Sequence, residues 1–109
     1  MVIEEFGYPR DGGSNDPSAP TTYKDRFYGI IHAAALQSMR NNGPIAGTNF
    51  WAWNGEARAQ HSDYRFQEGD RQYMGDPPHE PQGWYGVFTG DSTIRLISDH
   101  AAAIARIAR

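Results

Sequence analysis

Met1-Val2-Ile3-Glu4-Glu5-Phe6-Gly7-Tyr8-Pro9 is the stretch on which the architecture turns. Three apolar residues run into two carboxylates, an aromatic and a glycine. The apolar run reads as a short buried strand, and Gly-Tyr-Pro stops it. A carboxylate at a buried strand end must be paired, hydrogen-bonded or used. Side chains alternate across a strand, so Glu4 and Glu5 face opposite ways. Glu4 is expected to pair with a cation between strand and helix layer, leaving Glu5 to face a site.

Working outward, residues 11–20 (Asp-Gly-Gly-Ser-Asn-Asp-Pro-Ser-Ala-Pro) are all turn formers and predict an exposed loop. Thr21 or Thr22 then caps a helix, with Asp25 placed as in a capping box. Tyr23, Phe27, Ile30, Ile31, Ala34 and Ala35 form its apolar stripe. Asn41-Asn42-Gly43-Pro44 ends it, with Gly43 in the left-handed conformation. A second strand follows over 45–53, with Asn49, Trp51 and Trp53 on one face and Thr48, Phe50 and Ala52 on the other. Residues 54–90 show little periodicity and form one long loop, the kind that is functional or disordered. Its aromatics argue for ordered packing, with Trp84 and Tyr85 as anchors. Asp91 or Ser92 caps a last helix whose stripe is Ile94, Ile97, Ala101, Ile104 and Ala108, with Arg106 and Arg109 at its carboxyl end.

Strand, helix, strand in this order is a βαβ unit with parallel strands, and parallel strands need both faces covered. Two such strands cannot cover their own faces and edges, and the core is small for an independent domain. The whole chain, 1–109, therefore reads as the carboxyl-terminal part of a larger α/β fold. Polar and aromatic groups at the carboxyl ends of the strands, followed by long loops, match the active face of a (β/α)8 TIM barrel. A whole barrel takes about 250 residues.

Composition narrows the function classes. With 10 basic and 13 acidic residues the net charge is −3, and no basic stripe suggests nucleic acid. No run is apolar for long enough to span a membrane, and there is no cysteine for disulfide or thiol chemistry. Twelve glycines accompany 3 Trp, 6 Tyr and 5 Phe, a mixture suited to loops that stack aromatic rings on apolar sugar faces. His61, Asp63, His79 and Glu80 match no familiar metal spacing, so no metal site is expected.

Val2-Ile3-Glu4-Glu5-Phe6-Gly7 resembles the strand 7 motif of family 5 glycoside hydrolases, in which a glutamate before an aromatic-Gly pair is the nucleophile. Gly47-Thr48-Asn49-Phe50-Trp51-Ala52-Trp53 resembles strand 8 of the family's mannanase branch. Residues 55–61 and 75–84 are similar to the long strand 8 loop of bacterial endo-1,4-β-mannosidases. The resemblance implies that the chain holds the last two βα units, strands 7 and 8 with their helices, of an incomplete barrel. It implies Glu5 as nucleophile and Trp51 as the platform for the reacting sugar. Trp53, Arg58, His61 and Asp63 are candidates for further sugar contacts.

A retaining glycosidase also needs a second carboxyl about 5–5.5 Å from the nucleophile. In the family it lies in Asn-Glu-Pro at the end of strand 4, which this sequence lacks. The near match His79-Glu80-Pro81 falls in the strand 8 loop, where the family does not place its acid. The resemblance thus implies a fragment of a retaining endo-β-1,4-mannanase, inactive by itself and needing the amino-terminal part of the barrel. The partner is a mannan-type polysaccharide, with no cofactor, nucleic acid or membrane. The full-length parent is expected to be secreted or periplasmic. A β-glucanase or cellulase of the same barrel, or a non-catalytic carbohydrate-binding fragment, are the alternatives.

Overall fold

The computed structural model describes residues 1–107. Strand β1 (Val2–Phe6) leads through a 3-10 turn (Asp11–Gly13) into helix α1 (Thr22–Arg40). Strand β2 (Gly47–Phe50) is followed by β3 (Trp53–Gly55), a long excursion, β4 (Val87–Phe88) and helix α2 (Thr93–Ile107). Ala108 and Arg109, assigned above to the last helix, lie outside the described residues.

β1 and β2 pair in parallel, with Val2 opposite Gly47, Ile3 opposite Thr48, and Glu4 opposite Asn49. The ladder slips between Glu4 and Phe6, and Phe6 then pairs with Phe50. The βαβ unit is therefore present. The expected strand over 45–53 is not continuous. It ends at Phe50, the Trp51–Ala52 peptide is cis, and Trp53–Gly55 joins a second parallel pair with Val87–Phe88. β4 lies inside the stretch read as loop. Its two residues are too few for the period-2 signal, and both are fully or nearly buried.

The helices cover one side of the β1–β2 pair. Phe6, Tyr28 and Val87 are the buried centre, with Ile3, Phe27, Ile31, Phe50, Ile94, Leu96 and Ile97 packed around them. Val2 is exposed, so β1 is not the doubly buried strand its apolar run suggests. The buried stripe of α1 also differs from expectation. It runs Lys24, Tyr28, His32, Ala35, while Tyr23, Ile30 and Ala34 are exposed. On α2 His100 is buried and Ala101 is exposed. Lys24 takes its inner position because the fold supplies partners. The Lys24 ammonium donates to the carbonyls of Tyr85 (3.2 Å) and Gly86 (2.8 Å).

Helix ends also depart from the sequence reading. Thr21 makes no side-chain cap, and the Asp25 carboxylate accepts hydrogen bonds from the hydroxyls of Ser92 and Thr93 at the start of the other helix. Asn42, not Gly43, is left-handed, at φ 54°. Gly43 is required for a different reason. Its amide donates to Ser38 O at 2.6 Å, and a Cβ there would strike the Ser38 hydroxyl.

Candidate active site

Glu5 is the conformational exception of β1. Its φ is +53°, in the left-handed region that non-glycine residues rarely occupy. It sits at the ladder slip, where the bulge re-aims its side chain. The slip cancels simple alternation, so Glu4 and Glu5 both line a shallow cavity of about 320 Å³ with Asn49, Phe50 and Trp51. Glu4 is exposed and accepts a long 3.4 Å bond from the Asn49 amide. The expected ion pair to the helix layer is absent among the described residues, because the bulge keeps Glu4 on the open side.

Trp51 follows β2 directly, and its amide donates to Phe6 O at 2.8 Å. This bond fixes the Trp51 backbone to the strand that carries Glu5. Gly7 permits the approach, since a Cβ at that position would stand 2.6 Å from the Trp51 carbonyl oxygen. Glu5 and Trp51 share a second cavity of about 450 Å³, lined also by Phe6, Gly7, Phe27, Pro77, Glu80 and Tyr85. That volume is within the ordinary range for small-molecule sites, about 300–1,000 Å³.

The far wall comes from the excursion between β3 and β4, and buried polar side chains hold it in place. The Asp76 carboxylate accepts the amides of Gly83 (2.7 Å) and Tyr85 (3.2 Å). The Gln82 amide donates to the carbonyls of Pro77 (2.8 Å) and Glu80 (3.0 Å). Asn54 accepts from the Gly75 amide at 2.9 Å. Residues 54–90 are thus a folded wall, and Tyr85 is a cavity residue as well as an anchor. Trp84 is partly exposed and packs against Tyr85, with ring centroids 5.1 Å apart.

The other sequence candidates do not line the Glu5 cavity. Trp53 is 56% exposed and lies against Gly55. Arg58 donates to the carbonyls of Gly55 and Ala57 and stands 4.6 Å over the Phe88 ring. His61 binds Asp70 at 2.8 Å. Asp63 accepts the Arg65 amide at 3.0 Å. These polar groups close turns within the excursion, a use that residue type alone does not reveal. Among the described residues no three His, Cys, Asp or Glu side chains gather as a metal site.

Two features have no counterpart in the sequence reading. Phe27, Pro77, Glu80 and Tyr85 complete the cavity. The glycine after Phe6, which permits a close backbone approach, is the signal that a second segment can come near. Arg10 is the other. It is 1% exposed and donates to both Asp91 carboxylate oxygens (2.7 and 2.6 Å) and to Ala19 O (2.8 Å). The pair ties the end of β1 to the start of α2.

A family model described as GH family 5 beta-mannosidase-like matches residues 1–109. The chain belongs to glycoside hydrolase family 5. Three solved structures of a family 5 mannosidase from Rhizomucor miehei are similar to it. One has a TM-score of 0.85 and 35% identity over 97% of this chain and 26% of that one. A glutamate-to-alanine variant of the same enzyme matches at 34% identity and TM-score 0.85, over 97% of this chain and 27% of its own. Another such variant, in complex with mannosyl-fructose, matches at 35% identity and TM-score 0.85 over the same 97% and 26%. The chain therefore spans about a quarter of the length of these relatives. No match was found among curated proteins.

Proposed function

We propose that this chain is the part of a retaining β-mannoside hydrolase that carries the nucleophile, Glu5, and the sugar platform, Trp51. The observation that supports it most directly is their shared cavity at the carboxyl ends of two parallel strands, with Glu5 in a left-handed bulge. Such a carboxylate attacks the anomeric carbon while a second carboxyl protonates the departing aglycone oxygen, and water then hydrolyses the glycosyl-enzyme bond with that second carboxylate as base. The aromatic face of Trp51 stacks on the sugar.

The finer parts of the proposal follow from this. β1 and β2 are strands 7 and 8 of the barrel, and α1 and α2 their helices. The parent acts within β-1,4-mannan as an endo-enzyme of the bacterial mannanase branch. It works outside the cell, secreted or periplasmic, where its polymer lies. The isolated chain is inactive, since the acid/base carboxyl belongs to a strand it does not hold. The mannosyl-fructose complex of the Rhizomucor enzyme favours a second reading, hydrolysis of short mannosides.

The test is a chimera in which this chain replaces the matched quarter of the Rhizomucor mannosidase. Hydrolysis of mannan and of mannobiose is then measured. Turnover that falls on the order of 10³-fold or more in Glu5→Gln supports the assignment. A folded chimera whose turnover ignores Glu5 refutes it. Preference for mannan over mannobiose decides between the two readings.

A further inference from the structure

We infer that Glu80 is a substrate-binding residue of the Glu5 cavity, and that it restricts the cavity to neutral sugars. The inference rests on the hydrolase reading above and adds a residue and a substrate class to it. Eight residues line the cavity, and Glu5 and Glu80 are the charged ones among them. The remainder are aromatic, apolar or glycine. Among the described residues the lining contains no lysine, arginine or histidine.

Glu80 is placed there by a built turn. Its amide donates to Pro77 O at 3.0 Å, and the buried Gln82 side chain clamps the Pro77 and Glu80 carbonyls. Its carboxylate makes no hydrogen bond among the described residues. The exposed His79 ring stands 3.7 Å from it. A half-buried carboxylate with free acceptor sites, set among aromatic walls, is suited to receive sugar hydroxyl protons. Bonds of this kind to a charged acceptor are stronger than neutral ones.

Two carboxylates in a lining that holds no basic side chain also disfavour an anionic ligand. A uronate or a sugar phosphate would bring a third negative charge into the cavity. A neutral hexose brings only donors and apolar faces. The cavity is therefore selective by charge, and Glu80 contributes to that selectivity without taking part in bond cleavage.

The experiment follows the Trp51 indole N–H of the labelled 109-residue chain by NMR. The probes are methyl β-mannoside and its C6-carboxylate, the uronate. The wild-type chain is expected to bind the neutral sugar and to disfavour the uronate. Glu80→Ala should weaken the neutral sugar about tenfold. Glu80→Gln should keep part of that affinity and narrow the neutral-to-anionic preference several-fold. A collapsed turn would not produce that narrowing. Glu56→Gln, exposed and outside the cavity lining, should change neither. Identical titrations for wild type and both Glu80 variants overturn the assignment and leave the hydrolase reading standing. A wild-type chain that does not respond to the mannoside also overturns it, and the chimera then judges the hydrolase reading alone.

Discussion

At the scale of single residues, Glu5 is where the chain departs from local preference. A non-glycine residue at φ +53° costs about 1–3 kcal/mol, held in place by the structure around it. The proposed nucleophile role accounts for a carboxylate at a position where glycine would be easier. Glu5→Gly should therefore stabilise the chain by about 1 kcal/mol, and Glu5→Gln should not. Urea unfolding of the two variants against wild type checks this, and equal midpoints would count against strain at the site. Gly7 works in the opposite sense. A methyl group there meets the Trp51 carbonyl at 2.6 Å. Gly7→Ala should cost about 1–3 kcal/mol and shift Trp51 away from Glu5. A change in tryptophan emission together with a lower unfolding midpoint would report it.

At the scale of elements, the two helices meet through histidine. His32 on α1 and His100 on α2 stack with ring centroids 4.0 Å apart and an interplanar angle of 1°. Both are buried, and His100 Nε2 lies 3.3 Å from the Thr48 hydroxyl. Burial first, and the neighbouring His100 second, push the His32 imidazole down to about 4. Burial lowers His100 as well. The folded state thus holds fewer protons than the unfolded chain between the ordinary histidine pKa of about 6.5 and the depressed value. The stability is complete above pH 6.5 and is lost as pH falls toward 4, by an amount on the order of 3 kcal/mol. Urea midpoints at pH 7 and pH 5 should differ in wild type and differ less in His32→Gln. The wall of the cavity depends on Asp76 through its hydrogen bonds. Asp76→Ala leaves the Gly83 and Tyr85 amides without their acceptor and should cost about 2–4 kcal/mol. Faster amide exchange over 77–85, with α1 unchanged, is the expected signature.

At the scale of the whole molecule, the chain is elongated, 47 × 24 × 19 Å, with a radius of gyration of 15.3 Å. A compact chain of this length has about 13 Å. Its accessible surface is 6848 Å², against about 6,100 Å² expected for a complete monomer of its mass. The excess includes apolar side chains, among them Val2, Tyr23 and Ile30, and the open edges of two-stranded sheets. Such edges and patches invite association. The isolated chain should self-associate, with an unfolding midpoint that rises with concentration, and should release no sugar from mannan. Sedimentation and a reducing-sugar assay check both. A sharp, concentration-independent monomeric transition would argue for an autonomous domain.

The sequence by itself determined the βαβ order, both helices and the family, because long periodic segments and the Glu-Phe-Gly and Phe-Trp-Ala-Trp motifs are local signals. It also singled out Glu5 and Trp51, which the fold brings into one cavity. Tertiary structure alone decided the rest. The inner face of α1 is set by partners distant in sequence, such as the carbonyls that receive Lys24, and no periodicity reports them. The bulge puts Glu4 beside Glu5, where alternation would have separated them. The excursion sends Arg58, His61 and Asp63 into its own turns and brings Glu80 to the cavity, since hydrogen bonds of side chains to nearby backbone and to one another, and not residue type alone, fix where each side chain ends.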